Sequence, residues 1–238
     1  MTQLAIDLPF QPALGAADFL VSECNRAAFA GIERWPDWPG RALVLHGPAR
    51  CGKSHLARLW IASISGRLVS GPALHALSPP ELAALPGIVI DDADAAAERA
   101  LLHVHNCCRE NGSGLLIVAR EPPSRWPIAL PDLASRLRAM PLIGIAPPDD
   151  ALLASLLVKH FADRQVRVAP SVIGFAVRRI ERSFAAAAAF VDALDRAALG
   201  AGRPIGLALV RRVLAETGAQ PDAEPDAQPE RRSDFGVT

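Results

Sequence analysis

Gly47-Pro48-Ala49-Arg50-Cys51-Gly52-Lys53-Ser54 fits the pattern GxxxxGK(S/T), and its reading decides the fold. The apolar run Ala42–Leu45 precedes it and a helical pattern over 52–64 follows, which is the strand-loop-helix setting the pattern requires. Each position has a mechanical purpose. Glycines let the backbone wrap phosphates, while the loop N–H groups and the positive end of the following helix point at them. Lys53 reaches the β and γ oxygens, and the Ser54 hydroxyl ligates Mg2+. Lysine usage sharpens the case, because Lys53 and Lys159 are the only lysines among 25 basic residues. A compact ammonium suits this position where a forked guanidinium does not. The residues expected to touch nucleotide are therefore Gly47, Pro48, Ala49, Arg50, Cys51, Gly52, Lys53 and Ser54, with His55 beside them. The expected ligand is ADP or ATP. Cys51 lies near a helix N-terminus, where a thiol pKa should fall, and reads either as alkylation-sensitive or as a permissive loop position.

About 40 residues on, Gly87-Ile88-Val89-Ile90 runs into Asp91-Asp92. Following a phosphate loop, Asp91 is expected to hold the water shell of Mg2+, and Asp92 to orient or deprotonate an attacking water. Taken alone, the same stretch also reads as a strand followed by a helix cap.

Further outward, short apolar runs alternate with helical patterns: Ala42–Leu45 then 52–64; Arg67–Val69 then 79–85; Ile88–Ile90 then 95–111; Leu115–Ala119 then 132–139; and Leu142–Ile145. This is β-α repetition, so an α/β fold with a parallel sheet covered on both faces is predicted. After Pro147-Pro148 the strand signals stop. Helices are predicted from Asp149-Asp150 to about Asp163, from Pro170 to about Arg179, over Ser183–Leu199 and over Gly206–Glu216. The expected organisation is a tail over 1–12, an α/β nucleotide-binding domain over 13–147, a small helical lid over 148–216 and an acidic disordered tail over 217–238.

The 238 residues carry 25 Lys and Arg against 25 Asp and Glu, which excludes a polybasic nucleic-acid arm. No run reaches the ~18–20 apolar residues of a membrane span, and no signal-peptide plan opens the chain, so a cytoplasmic protein is expected. Cys24, Cys51, Cys107 and Cys108 match neither a disulfide framework nor zinc spacing. His103 and His105 fall on different helix faces and do not read as metal ligands.

These motifs resemble the AAA+ ATPases, and within them the DnaA-related branch, over roughly residues 17–215. The carriers are Asp18-Phe19-Leu20-Val21 with Asn25, Trp35-Pro-Asp-Trp38-Pro-Gly, Asp91-Asp92-Ala-Asp94, Pro122-Pro123, and Leu130-Pro-Asp-Leu-Ala-Ser-Arg136-Leu. Jointly they are similar to the Hda-type regulatory inactivators of DnaA, especially the alphaproteobacterial form. The resemblance implies that Leu20 and Val21 pack on adenine. It also implies that Arg136 is an arginine finger acting in trans, and that Arg182 is the sensor 2 arginine, with Arg178 and Arg179 close by. From the residues alone, Arg136 also reads as a helix-surface arginine paired with Asp132. One position departs from the family pattern. Where sensor 1 is usually Asn or Asp, this chain has Arg120 followed by Glu121, and a guanidinium cannot accept a hydrogen bond from water.

Gln3-Leu4-Ala5-Ile6-Asp7-Leu8 fits the loose pattern QxxΦxΦ (Φ, apolar), similar to clamp-binding peptides, with Gln3, Ile6 and Leu8 as the contacts. An edge strand or a patch folded back on the core is the alternative. The implied partners are DnaA and the sliding clamp of DNA polymerase, without sequence-specific DNA binding, and a homodimer is compatible with the family. A helicase loader or nucleoprotein remodeller, and a plain adaptor with a structural nucleotide, are the competing functions.

Overall fold

A computed structural model describes residues 19–201 and 205–216. The expected tails and the clamp-binding-like peptide with Gln3, Ile6 and Leu8 lie outside the described residues, as does Asp18.

Helix α1 (Glu23–Glu33) leads into β1 (Ala42–His46), α2 (Lys53–Ser63), β2 (Arg67–Ser70), α3 (Pro79–Ala83), β3 (Gly87–Asp91), α4 (Glu98–Asn111), β4 (Gly114–Ala119), α5 (Pro131–Ala139) and β5 (Leu142–Gly144). The strands are parallel in the order β2-β3-β4-β1-β5, as the β-α alternation predicts. Strand β1 ends in the phosphate loop and lies near the middle of the sheet, while β4 separates it from β3.

Side chains alternate across the strands, so the inner strands β1, β3 and β4 feed two cores. Leu43, Leu45, Val89, Leu116 and Val118 face Ala28, Leu56, Ala57 and Trp60 of α1 and α2. Val44, Ile88, Ile90, Leu115 and Ile117 face Leu82, Leu101, Val104, Leu133 and Leu137 of α3, α4 and α5. Burial on both faces explains why the strands read as unbroken apolar runs rather than as polar-apolar alternation.

The Trp35-Pro-Asp-Trp38 stretch has a packing role. Trp35, Trp38 and Trp60 cluster with ring centroids 4.8–5.3 Å apart, and Trp38 Nε1 donates to the Gly31 carbonyl at 2.7 Å. This cluster fixes a glycine at the start of β4. A Cβ at position 114 would stand 2.6 Å from the Trp35 ring and 2.8 Å from Trp60. Gly114→Ala is therefore expected to destabilise the fold by about 1–3 kcal/mol through overpacking. Thermal unfolding should show a melting point several degrees lower; an unchanged one would contradict this packing.

Helices α6 (Asp150–Asp163), α7 (Pro170–Val177), α8 (Phe184–Ala201) and α9 (Leu207–Glu216) follow the sheet. Asp149 caps α6 by accepting from the Leu152 N–H at 2.7 Å, where the sequence predicted a helix start. Leu153, Leu157, Phe161, Val172, Ala187, Val191 and Val210 form a core of their own. Leu152 and Phe184 instead join the sheet's α2-side core, so the helices dock on the sheet at the end that bears the phosphate loop.

Candidate nucleotide site

Residues 47–52 cross from β1 to α2 by a path that glycine makes possible. A Cβ on Gly47 would lie 2.8 Å from the Ile145 carbonyl oxygen. Gly52 has φ +94°, in the left-handed region, and a Cβ there would strike the Phe19 ring at 2.8 Å. Gly52 also caps α2, so the free N–H groups of its first turn open towards the loop.

Lys53 is buried, with Nζ donating to the carbonyls of Gly47 and Pro48 at 2.7 Å each and lying 3.7 Å from Cys51 Sγ. The ammonium thus holds the loop around itself. Cys51 is also buried, and the expectation of a lowered thiol pKa is corrected here. Burial pushes the thiol up, outweighing the opposing pull of the Lys53 charge. At pH 8, iodoacetamide should label Cys24 and Cys107, which are partly exposed, well before Cys51 and Cys108, both buried; burial pushes the Cys108 thiol up to about 12. Peptide mapping that finds Cys51 labelled first would refute this.

The segment expected to meet adenine lies beside this loop. Phe19 stacks on Phe29 at 5.9 Å and sits 5.7 Å from His55. Asn25, buried at the start of α1, donates to the Leu20 carbonyl at 2.8 Å and accepts from the Ser22 N–H at 2.8 Å. Two bonds from one side chain therefore fix residues 20–22, leaving Val21 exposed and Leu20 half-buried next to the nucleotide loop.

Asp91 ends β3, and Asp92 follows in the left-handed region at φ +51°. The Asp92 N–H donates to Asp91 Oδ1 at 3.1 Å, and its carbonyl accepts from Ala95 in a short 3-10 turn. Asp91 thus places a carboxylate at the strand end, and Asp92 opens the turn without a side-chain cap bond. Ser54 and Asp91 offer hard oxygen donors of the kind Mg2+ takes. Among the described residues no cluster of three or more ligating side chains exists. Ser54 and Asp91 would suit the protein's share of a Mg2+ shell whose other ligands are phosphate and water oxygens.

Ala119, paired with His46, ends β4, and Arg120 projects exposed from the slot between β1 and β3. Glu121 is engaged by Arg125 at 2.8 Å, and its carbonyl accepts from Trp126 Nε1. His46, not singled out by the sequence, packs over Gly144, where a Cβ would come within 2.9 Å of its ring. Burial pulls its pKa below the ordinary value against the charge of Glu121.

Two arginines reach elsewhere. Arg182 pairs with Asp150 as a fork, Nε to Oδ1 at 2.6 Å and Nη2 to Oδ2 at 3.0 Å, and this bond holds the Asp150 carboxyl below its usual range. Among the described residues no hydrogen bond or ion pair joins Arg182 to the phosphate loop. The link from that loop to the helices is instead made by Arg50, 3.8 Å from Asp192 on α8, which also accepts from Arg164. Sequence reading missed Asp192, since nothing local to a helical aspartate marks a partner 142 positions away.

Arg136 lies near the C-terminal end of α5, its Nε donating to Asp132 at 3.0 Å, the pairing anticipated as the alternative to a trans role. Its side chain is 21% exposed. It lines a cavity with Ala42 and Leu115, which pair at the amino ends of β1 and β4. The phosphate loop leaves the opposite end of β1, beyond His46, about 13 Å of strand away.

A phosphate loop on β1, carboxylates ending β3, β4 between them and helices after β5 define the α/β fold of AAA+ ATPase domains. No protein-family model matches the chain. Among solved structures, domain III of the replication initiation protein DnaA from Thermotoga maritima is similar with TM-score 0.75 and 16% identity, covering 88% of this chain and 98% of that one. DnaA from Aquifex aeolicus bound to AMPPCP gives 0.63 at 13% identity, over 75% and 64%. A RuvB variant from Thermotoga maritima gives 0.64 at 13%, over 86% and 72%. Among the described residues no helix is long and apolar enough to cross a membrane.

Proposed function

We propose that this chain is a nucleotide-binding regulator of chromosomal replication initiation, of the DnaA-related, Hda-like kind. It binds ADP or ATP with Mg2+ at Gly47–His55, with Leu20 and Val21 against the base, Ser54 and Asp91 towards the ion, and Asp92 and Arg182 in its own pocket. Tethered to the DNA-loaded sliding clamp by Gln3, Ile6 and Leu8, it docks on ATP-bound DnaA and presents Arg136. Water attacks the γ-phosphorus, the bond to the β–γ bridging oxygen breaks, and the guanidinium stabilises charge on the transferring group.

The observation that carries this reading is the place of Arg136. A guanidinium at the amino ends of β1 and β4 cannot serve a triphosphate held at the carboxyl end of β1 in the same chain, and this placement is the one a role in trans requires. In this reading residues 13–147 hold nucleotide, 148–216 form the lid and 1–12 are the tether. The test is turnover of DnaA-bound ATP with clamp loaded on DNA, with and without this chain. No stimulation overturns the proposal.

A second reading, an ATP-driven helicase loader or remodeller, draws on the complete phosphate loop and on Asp91-Asp92. Arg120 counts against it, because the first residue after β4 offers a guanidinium where a lytic water needs an acceptor. Brisk ATP hydrolysis by the chain alone would favour it.

A further inference from the structure

The cavity beside Arg136 measures about 280 Å3 and lies at the far end of the sheet from the phosphate loop. Its apolar wall includes Ala42, Leu115 and Met140; its polar wall includes His105, Arg109 and Arg136, and no carboxylate lines it. Arg136 spends only Nε on Asp132, which leaves both Nη groups without a hydrogen-bond partner among the described residues. Arg109 has no ion-pair partner among them either. Asn106 lies beside the His105 ring and engages it, while Nδ1 of His105 and Oδ1 of Asn106 are both buried. The polar wall therefore presents two guanidiniums and an imidazole edge, and no acid, to the cavity.

We propose that this cavity binds a small anion with an apolar body, a phosphate monoester or a carboxylate. Arg109 and Arg136 hold its charged end, the His105 ring flanks them, and the body lies on Ala42, Leu115 and Met140. Two guanidiniums with no acid on the wall select for negative charge, and an apolar floor selects against a bare, strongly hydrated ion. The volume sits just below the range of drug-sized sites, which limits the ligand to something compact. Because the site uses Arg136, its ligand competes with a neighbour's triphosphate for the same guanidinium. That last consequence rests on the trans reading of Arg136; the binding itself does not.

Phenyl phosphate, benzoate and neutral benzamide are titrated calorimetrically into the full chain saturated with ADP and Mg2+, so that the phosphate loop is already filled. One or both anions should bind one to one, the stronger naming the class, and benzamide should bind at least tenfold more weakly. Arg109 is exposed, so Arg109→Ala keeps the fold and should weaken anion binding about tenfold or more. Equal binding of benzamide, unchanged affinity in Arg109→Ala, or no saturable binding of either anion overturns the site. In the DnaA assay the better anion should lower stimulation by the wild-type chain in step with its occupancy. Undiminished stimulation with the cavity filled overturns the competition. Absence of stimulation from the untreated chain instead counts against the regulator reading and leaves the calorimetry standing.

Discussion

Arg136→Ala is expected to remove the proposed stimulation of DnaA-bound ATP hydrolysis while leaving the fold and the chain's own nucleotide affinity intact. An arginine supplied in trans to a phosphoryl transfer is worth about 10³–10⁵ in rate, so the stimulated rate should fall by at least about 10³-fold or to the DnaA baseline, whichever comes first. The structural cost is small. The Asp132 partner is more than half exposed, and an i,i+4 pair of this kind contributes about 0.3–0.5 kcal/mol. Arg136→Lys keeps the charge and loses the fork, and should recover only a minor part of the activity. Single-turnover hydrolysis of labelled ATP on DnaA, with the clamp on DNA, reads all three proteins. Stimulation by Arg136→Ala at the wild-type level would leave Arg136 as the surface partner of Asp132 and nothing more.

Lys53→Ala should raise the dissociation constant for ADP by about a hundredfold or more, so that nucleotide no longer survives gel filtration. Two effects combine. The compact charge that meets the β and γ oxygens is gone. The carbonyls of Gly47 and Pro48 also lose the donor 2.7 Å away that draws the loop together. Leaving these acceptors unpaired costs about 1–3 kcal/mol, so the nucleotide-free variant should melt a few degrees below wild type. The Cys51 thiol, no longer pulled down by the neighbouring ammonium, should titrate higher still. Equilibrium binding of a fluorescent ADP analogue and thermal unfolding without nucleotide separate the two effects. Wild-type affinity in Lys53→Ala would end the assignment of Gly47–Ser54 as a phosphate site.

Much of this was legible locally. Strand-loop-helix punctuation around Gly47–Ser54, apolar runs ending at Asp91-Asp92 and Ala119, and the switch to helices after Pro147-Pro148 are properties of neighbouring residues. The structure reproduces them within a residue or two, including β1 at Ala42–His46, α5 at Pro131–Ala139 and the Asp149 cap of α6. Cys51 was misread for an instructive reason. Proximity to a helix N-terminus is visible along the chain, but the burial that raises the thiol is contributed by residues distant in sequence.

The residue pattern alone determined that the chain would fold as a parallel α/β sheet with a glycine-bent loop after its first strand, because backbone freedom, side-chain period and helix caps act over a few positions. Tertiary structure alone decided the order of the strands, with β4 between β1 and β3. It also decided that Phe19 sits over Gly52, that Arg50 reaches Asp192, and that Arg136 and His105 share a cavity at the far end of the sheet. Those neighbours are chosen by which apolar faces bury one another, an energy summed over the whole core, and no short stretch of sequence carries it.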